Sequence, residues 1–343
     1  MAKLNVFSQT KIKQDKPKRA ALIFIVSVCL LFIVMYLNLA IGSSHITTRD
    51  IFSYFTGHTN TKATFLVHNV RMPRMIGGLL IGAALALAGL LMQAMTRNPL
   101  ASPQIFGVNS GASFVIVLIT LAIPSLSSIS TILAFIGAFI GGLTVYLLSG
   151  STQKITPIKL ALAGMAVHLF FSSMTQGLIL LNEDSTTTVM FWLVGSLSTI
   201  KWVQVMNILP WLVIAFVVTI LMGRQLSILE LGEDLAKGLG QKILLIRIMI
   251  GILVIVLAGT SVSIAGPIGF VGLIVPHIVK HYVSRNYLLM IPLSMIIGAD
   301  LLLVSDVLSR LIAFPFESPV GIVTSFLGAI YFLAITIRGV DRL

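Results

Sequence analysis

The sequence predicts an all-α integral membrane protein with ten transmembrane helices. Of its 343 residues, 57% are apolar and 10% are charged, whereas soluble domains contain about 45–50% apolar and about 25% charged residues. Several stretches of more than about 18 residues carry no charge, and that length crosses a bilayer as a helix. The single cysteine, Cys29, excludes an intrachain disulfide bond.

The apolar stretches divide the chain into spans and connections. Residues 1–19 form a basic N-terminal arm, and the apolar run after it is longer than the core of a signal peptide, so we expect an uncleaved first span. Residues 20–343 form the ten-helix domain. We expect its spans at roughly 20–41, 75–95, 105–124, 129–149, 158–181, 203–223, 244–264, 268–283, 288–308 and 320–337.

Glycine and proline interrupt the pattern at two places. Gly266 and Pro267 stand at the start of the short eighth span, and Asn98–Pro103 breaks the chain before the third. Such breaks are tolerated at membrane depth only where protein or a cavity covers the backbone. Interrupted helices in two halves of a chain are a weak indication of the internal repeats found in transporters.

The basic residues predict the orientation. The net charge of +12 suggests nucleic acid at first sight, but these charges lie in the arm and between spans. Of the 23 lysines and arginines, 17 fall on the side of the N-terminus and 6 on the other. Because positive residues accumulate on the cytoplasmic side, we expect both termini in the cytoplasm and no nucleic-acid partner.

The longest interior polar stretch, residues 224–243, lies on the cytoplasmic side in this topology. Gly232 and Gly240 are typical helix stops, so we expect two short helices here, about 226–241. The stretch combines a broken apolar stripe with a charged side, and a solvated connecting loop remains the alternative to a docking surface. The stripe consists of Leu226, Leu229, Leu231, Leu235 and Leu239.

Three arginines stand on the opposite side, which has few positive charges. Arg71 and Arg74 precede the second span at a spacing that places them on one helix face, and Arg310 follows the ninth span. They are either interfacial anchors or a receptor for carboxylates, and both interpretations stay open. Asp306, four residues before Arg310, predicts a local ion pair.

Polar residues inside spans are candidates for a transport pathway. Asp300 lies well inside the ninth span, where an ionisable group is a functional hypothesis by default, and His168 begins a polar stretch in the fifth. Gln93 and Asn109 complete the candidate set. His277 and His281 have metal-ligand spacing but no accompanying carboxylate or cysteine, so we expect no metal site.

Motifs for catalysis and nucleotide binding are missing from the sequence. It contains no GxxxxGK[ST] phosphate loop, no HExxH and no nucleophile elbow. We therefore expect no catalytic residue, no enzymatic activity and no bound cofactor. If ATP drives this protein, another subunit supplies the site.

Seven motifs follow one another along the chain: Arg71–Gly78, Gly82–Gln93, Arg97–Ala112, Leu231–Gly240, Ala265–His277, Asp306–Arg310 and Pro319–Gly328. In sequence and in order they resemble the permease subunits of iron-siderophore, heme and cobalamin ABC importers. The similarity covers nearly the whole chain beyond the arm. The chain differs from that family in its longer basic arm and in Pro267, where some relatives have a small residue.

The resemblance implies a ten-helix permease in a bacterial plasma membrane, paired with a second permease. It also implies two cytoplasmic ATPase subunits, which use ATP and Mg, and an extracytoplasmic binding protein that meets Arg71, Arg74 and Arg310. The implied coupling helices contact the ATPase through Leu231, Gly232, Glu233, Ala236, Leu239 and Gly240.

The expected substrate is a metal chelate, most simply an iron(III)-siderophore, with heme or cobalamin as alternatives. The alternative hypothesis, from another class of transport protein, is a proton-coupled secondary transporter that uses Asp300 and His168 as titrating groups.

Overall fold

The computed structural model describes residues 17–340 except 43, 45, 58–60, 151–156, 183–185 and 284–285. Most of the predicted arm, 1–19, lies outside the described residues, so its boundary stays a prediction. Within the described part, the chain is α-helical with short 3-10 and π segments and has no strand. The helices are α1 (Pro17–Ala40), α2 (Thr48–Phe55), α3 (Lys62–Leu66), α4 (Met72–Thr96), α5 (Val108–Ala122), α6 (Ser130–Leu148), α7 (Pro157–Leu180), α8 (Thr186–Val194), α9 (Trp202–Leu221), α10 (Gly223–Glu230), α11 (Glu233–Gly238), α12 (Ile243–Ala265), α13 (Val271–Tyr282), α14 (Tyr287–Ile312) and α15 (Val320–Val340).

Seven helical stretches of the described chain are long and apolar enough to cross a membrane. Two further apolar helices, Val108–Ala122 and Val320–Ile335, are shorter, and α13 has 12 residues. The all-helical membrane class is therefore confirmed, whereas the count of ten spans stays a prediction. The seven stretches are Ala20–Ala40, Lys62–Thr96, Ser130–Leu148, Ile158–Leu180, Trp202–Leu221, Ile243–Ala265 and Tyr287–Ile312.

The helical stretch that contains the second predicted span begins earlier than expected. A continuous stretch from Lys62 to Thr96 replaces the expected 75–95, with a π-helical turn at Val67–Arg71 between α3 and α4. The helical stretch is longer than a bilayer requires, so the membrane boundary at 75 stays a prediction. Arg71 and Arg74, within this stretch, are both buried in the protein.

The two expected breaks are present. α12 ends at Ala265 and α13 begins at Val271, with positive φ angles at Gly266 and Phe270 between them. Backbone hydrogen bonds from neighbouring segments cover this region, because Ser196 N–H donates to the Ala265 carbonyl at 2.8 Å and Gly321 N–H donates to the Gly195 carbonyl at 3.0 Å. An ideal Cβ on Gly266 would lie 2.2 Å from the Trp192 carbonyl oxygen, so no larger residue fits there.

α4 is the central helix of the bundle. Its most apolar window is 89% buried, against 11% for α1 and 22% for α7. Glycines allow its neighbours to approach: an ideal Cβ on Gly82 would lie 2.4 Å from the Gly298 carbonyl oxygen of α14, and one on Gly89 only 1.8 Å from that of Gly272 in α13. Small residues at helix contacts are typical of membrane bundles, where close backbone packing replaces the hydrophobic effect.

Candidate functional site

The polar stretch 224–243 folds as the two expected short helices, α10 and α11, which meet at Gly232. Gly232 has φ 126° and ψ 148°, a conformation open essentially to glycine. Gly240 ends the second helix with φ 80°. The two helices therefore form a corner, which we name the α10–α11 corner (residues 223–240).

Polar contacts fix the corner to three membrane helices. Arg247 of α12 forms a salt bridge with Glu233 at 2.5 Å, and the Tyr287 hydroxyl at the start of α14 donates to Glu230 at 3.0 Å. Arg97, just after α4, donates to the Leu229 carbonyl at 3.3 Å. These contacts connect the corner to the ends of α4, α12 and α14.

The leucines of the corner do not form one stripe. Leu226, Leu229 and Ala236 are buried against the bundle, whereas Leu231, Leu235 and Leu239 are each at least 60% exposed. The expected stripe is thus divided, because the backbone at Gly232 turns α11 relative to α10. The outcome is an exposed leucine face (Leu231, Leu235 and Leu239) within a polar segment.

At the opposite end of α4, Arg71, Arg74 and Arg310 come together with Asp306 and Glu317. We name these five residues the arginine cluster. Arg74 donates through Nε and Nη2 to Asp306, with Nη2 2.9 Å from Oδ1, and through Nη1 to Glu317 at 2.6 Å. All three arginines and Asp306 are buried within the protein.

The other two arginines bind the end of α1. Arg310 donates to the Ile41 carbonyl at 2.8 Å and to both the backbone and the side-chain oxygen of Asn38 at 2.9 Å. It also pairs with Asp306, which confirms the predicted ion pair, although this pair is buried and shared with Arg74. Arg71 donates to the Leu39 and Ser44 carbonyls, each at 2.5 Å.

A cavity of about 920 Å³ opens between α5, α7 and α8. It brings together two of the four pathway candidates, Asn109 and His168. Its described lining contains no Asp, Glu, Lys or Arg side chain. The lining consists of Ser102, Gln104, Asn109, Ser110, Ser113, Ala161, Gly164, Met165, His168, Ser172, Thr175, Gln176, Ile179, Leu180, Met190, Leu193 and Pro267.

Gln93 and Asp300, the other two candidates, lie outside this lining. Gln93 is fully buried in α4 and donates to the Leu273 carbonyl at 3.4 Å. Asp300 is buried in α14, and neither of its carboxylate oxygens has a hydrogen-bond partner among the described residues. The structure therefore does not bring the four candidates into one site.

Sequence reasoning missed the polar residues that α5 and the segment before it contribute to the lining, Gln104, Ser110 and Ser113 among them. For the facing wall on α7 the sequence did contain a signal, because His168, Ser172 and Gln176 follow at four-residue spacing and share a helix face. His277 and His281 pack against aromatic rings, His277 against Tyr331 at a centroid distance of 5.9 Å.

Membrane-spanning helices around a polar cavity, with a polar corner at one end, define an integral membrane transport protein. The chain belongs to the FecCD transport family, whose model matches residues 30–338.

Individual relatives agree with this assignment. The Fe(3+)-citrate import system permease protein YfmD of Bacillus subtilis (strain 168) is 46% identical over 318 residues, which cover 93% of this chain and 95% of that protein. The Fe(3+) dicitrate transport system permease protein FecC of Escherichia coli (strain K12) is 39% identical over 277 residues, covering 80% of this chain and 83% of that one.

A solved structure also shares the fold. It is described as a metal-chelate type ABC transporter in an inward-facing conformation, and it superposes with a TM-score of 0.80 at 28% identity. The match covers 93% of this chain and 99% of that chain.

Proposed function

We propose that this chain is the permease subunit of an ATP-driven importer that moves an iron(III) chelate, ferric citrate or a ferric siderophore, across the bacterial plasma membrane. Family membership and the names of the similar permeases support this substrate class. The cavity supports it as well, because hydroxyl and amide side chains without a fixed charge suit a bulky oxygen-rich chelate. Heme and cobalamin are the competing cargoes.

The exposed leucine face is the single observation that carries the proposal. Leu231, Leu235 and Leu239 project from a polar segment that is too hydrophilic for hydrocarbon. An apolar patch with a charged surround is typical of a protein-docking surface. We assign it to a cytoplasmic ATPase, which would hold the ATP and Mg and move the α10–α11 corner as a rigid lever.

The other partners follow from the remaining surfaces. We expect the arginine cluster at the extracytoplasmic end, where a binding protein would deliver the chelate, and both termini in the cytoplasm. The cavity opens beside α7, whose outward face is largely exposed. A second permease, identical or paralogous, would cover this face and close the pathway. α5, α13 and α15 would complete ten spans.

Copurification combined with uptake tests the function. The tagged chain, extracted in mild detergent, is expected to recover an ATPase subunit and a binding protein, and cells are expected to accumulate radiolabelled ferric citrate or ferric hydroxamate. Recovery of heme or cobalamin with the binding protein instead would reassign the cargo. Uptake that persists without the ATPase and stops with a protonophore would favour ion-coupled transport.

A variant pair isolates the leucine face. Replacing Leu231, Leu235 and Leu239 by serine is expected to remove the copurifying ATPase and the uptake, while the protein remains in the membrane. Lys237→Gln alters charge on the same short helix without touching the leucines and is expected to keep both. Unchanged ATPase recovery with the serine variant would contradict the assignment.

A further inference from the structure

Glu317 accepts a hydrogen bond from Nη1 of Arg74, the one guanidinium nitrogen that does not donate to Asp306. We propose that Glu317 is an exchangeable internal counter-ion, which a carboxylate of the binding protein displaces from Arg74 when it docks. This inference rests on the proposed function, because it takes the binding protein as the partner at this end of the bundle.

The two carboxylates on Arg74 are not equivalent. Asp306 accepts from Nε and Nη2 and is 0% exposed, whereas Glu317 accepts only from Nη1 and its side chain is 34% exposed. Asp306 therefore pairs with one edge of the guanidinium away from solvent. Glu317 covers the remaining Nη1 from the solvent side, where an incoming carboxylate would arrive.

The charges of the cluster favour an acidic partner. Three arginines face two carboxylates, Asp306 and Glu317. Arg71 donates to backbone carbonyls, and no carboxylate of the described residues lies at ion-pair distance from it. Exchanging Glu317 for a partner's carboxylate keeps Arg74 paired, while the released Glu317 returns to water. Guanidinium groups suit this exchange, because their planar fork can donate to two carboxylates at once.

The loop that carries Glu317 allows the side chain to move alone. It joins α14 to α15 and is held by hydrogen bonds from Phe316 N–H to the Ala313 carbonyl at 2.8 Å and from Ser318 N–H to the Ser309 carbonyl at 3.4 Å. Phe314 and Phe316, beside Glu317, are among the most exposed aromatic residues of the described chain. Aromatic residues and charged pairs contribute much of the binding energy at protein interfaces, and this loop presents both at its surface.

The expected size of the effect is modest. A salt bridge that is partly exposed contributes little free energy, so displacing it removes only a small part of the affinity. Glu317→Gln, which removes the competing charge and keeps the shape, is therefore expected to tighten binding by about two- to fivefold.

The experiment measures binding of the copurified binding protein to the permease complex in lipid nanodiscs. Glu317→Gln is compared with wild type and with Asp50→Asn, which removes a carboxylate at the start of α2, outside the cluster. Tighter binding by Glu317→Gln alone supports the exchange. Equally increased affinity in both variants would mean that only the net charge of the permease matters. Weaker binding by Glu317→Gln would mean that Glu317 supports the docking surface and is not displaced from it. Either result overturns the proposal.

A second measurement needs no partner. Phenylglyoxal modifies accessible guanidinium groups, and mass spectrometry reports the modified fraction of Arg74, with Arg71 and Arg310 as internal references. Faster modification of Arg74 in Glu317→Gln is expected, and an unchanged rate overturns the proposal. If no binding protein binds even to wild type, the proposed partner fails, while this labelling comparison still shows whether Glu317 shields Arg74.

Discussion

Arg74 and Asp306 are 232 residues apart in the chain and form a buried, two-pronged salt bridge, with Nη2 2.9 Å from Oδ1. The bridge joins the beginning of α4 to the last turns of α14. Since Asp306 also pairs with Arg310, which binds the end of α1, one carboxylate connects three membrane helices at the same end of the bundle.

Asp306→Ala is expected to destabilise the fold strongly, because it leaves two buried guanidinium groups without their shared carboxylate. Loss of one partner from a buried pair costs about 3–5 kcal/mol. The midpoint of thermal unfolding in detergent measures the effect. Asp50→Asn serves as the control, since Asp50 is only partly buried and caps α2 outside the cluster, where the loss of a cap costs about 1 kcal/mol. Equal midpoints for the two variants would contradict the central role of Asp306.

Gly89→Ala is expected to prevent the normal packing of α4 against α13. The added Cβ would overlap the Gly272 carbonyl oxygen, and overpacking costs about 1–3 kcal/mol even where neighbours can yield. Gly251→Ala is the matched control, because Gly251 is buried in α12 and has no other atom within 4 Å of an added Cβ. The yield of monodisperse protein after mild heating compares them, and indistinguishable yields would refute the contact.

Gly232→Ala is expected to lower uptake while the protein still inserts into the membrane. No atom lies within 4 Å of the added Cβ, so the effect comes from the backbone alone. A non-glycine residue in this region of φ and ψ costs about 1–3 kcal/mol, which favours reorientation of the α10–α11 corner. Gly238→Ala, in the helical part of α11 and equally uncrowded, is expected to preserve uptake and ATPase recovery. Full uptake by Gly232→Ala would show that the corner tolerates another geometry.

His168→Trp is expected to reduce uptake severalfold, because a large ring replaces imidazole in the wall of the cavity between α5 and α7. His168→Gln keeps a polar side chain of similar size and is expected to transport normally. Both are measured with radiolabelled ferric citrate at equal protein abundance. A loss of uptake in His168→Gln as large as in His168→Trp would instead indicate a specific chemical role for imidazole.

Asp300→Asn is expected to retain ATP-driven uptake. The carboxylate is buried outside the cavity lining and has no hydrogen-bond partner among the described residues, so the isosteric amide removes an ionisable group without removing an observed contact. Uptake and its sensitivity to a protonophore are measured together. Loss of uptake in Asp300→Asn would instead support proton-coupled secondary transport.

Local patterns predicted much of the architecture. Gly266 and Pro267 predicted the break before α13, and Gly232 and Gly240 predicted two short helices, because the backbone preferences of these residues act within a few positions. Asp306 and Arg310 were predicted to pair because they lie one helical turn apart. Each of these features depends on neighbours in the chain.

Features that depend on distant residues were not predictable in the same way. The burial of Arg71 depends on the Leu39 and Ser44 carbonyls, which lie at and just after the end of α1. The burial of Leu226 and Leu229 follows from how α10 packs against the bundle, where Tyr287 N–H at the start of α14 donates to the Ser227 hydroxyl at 3.1 Å. The separation of Asp300 from His168 likewise depends on helix packing.

The sequence by itself determined the membrane class, the positions of most helices and the family, because apolar length, turn residues and motif order are properties of the linear chain. Only the tertiary structure decided which partners the three arginines have, which leucines face outward, and that Asn109 and His168 share a cavity while Gln93 and Asp300 do not. These outcomes require the close approach of helices far apart in sequence, which glycine contacts such as Gly82 with Gly298 allow but no local pattern specifies.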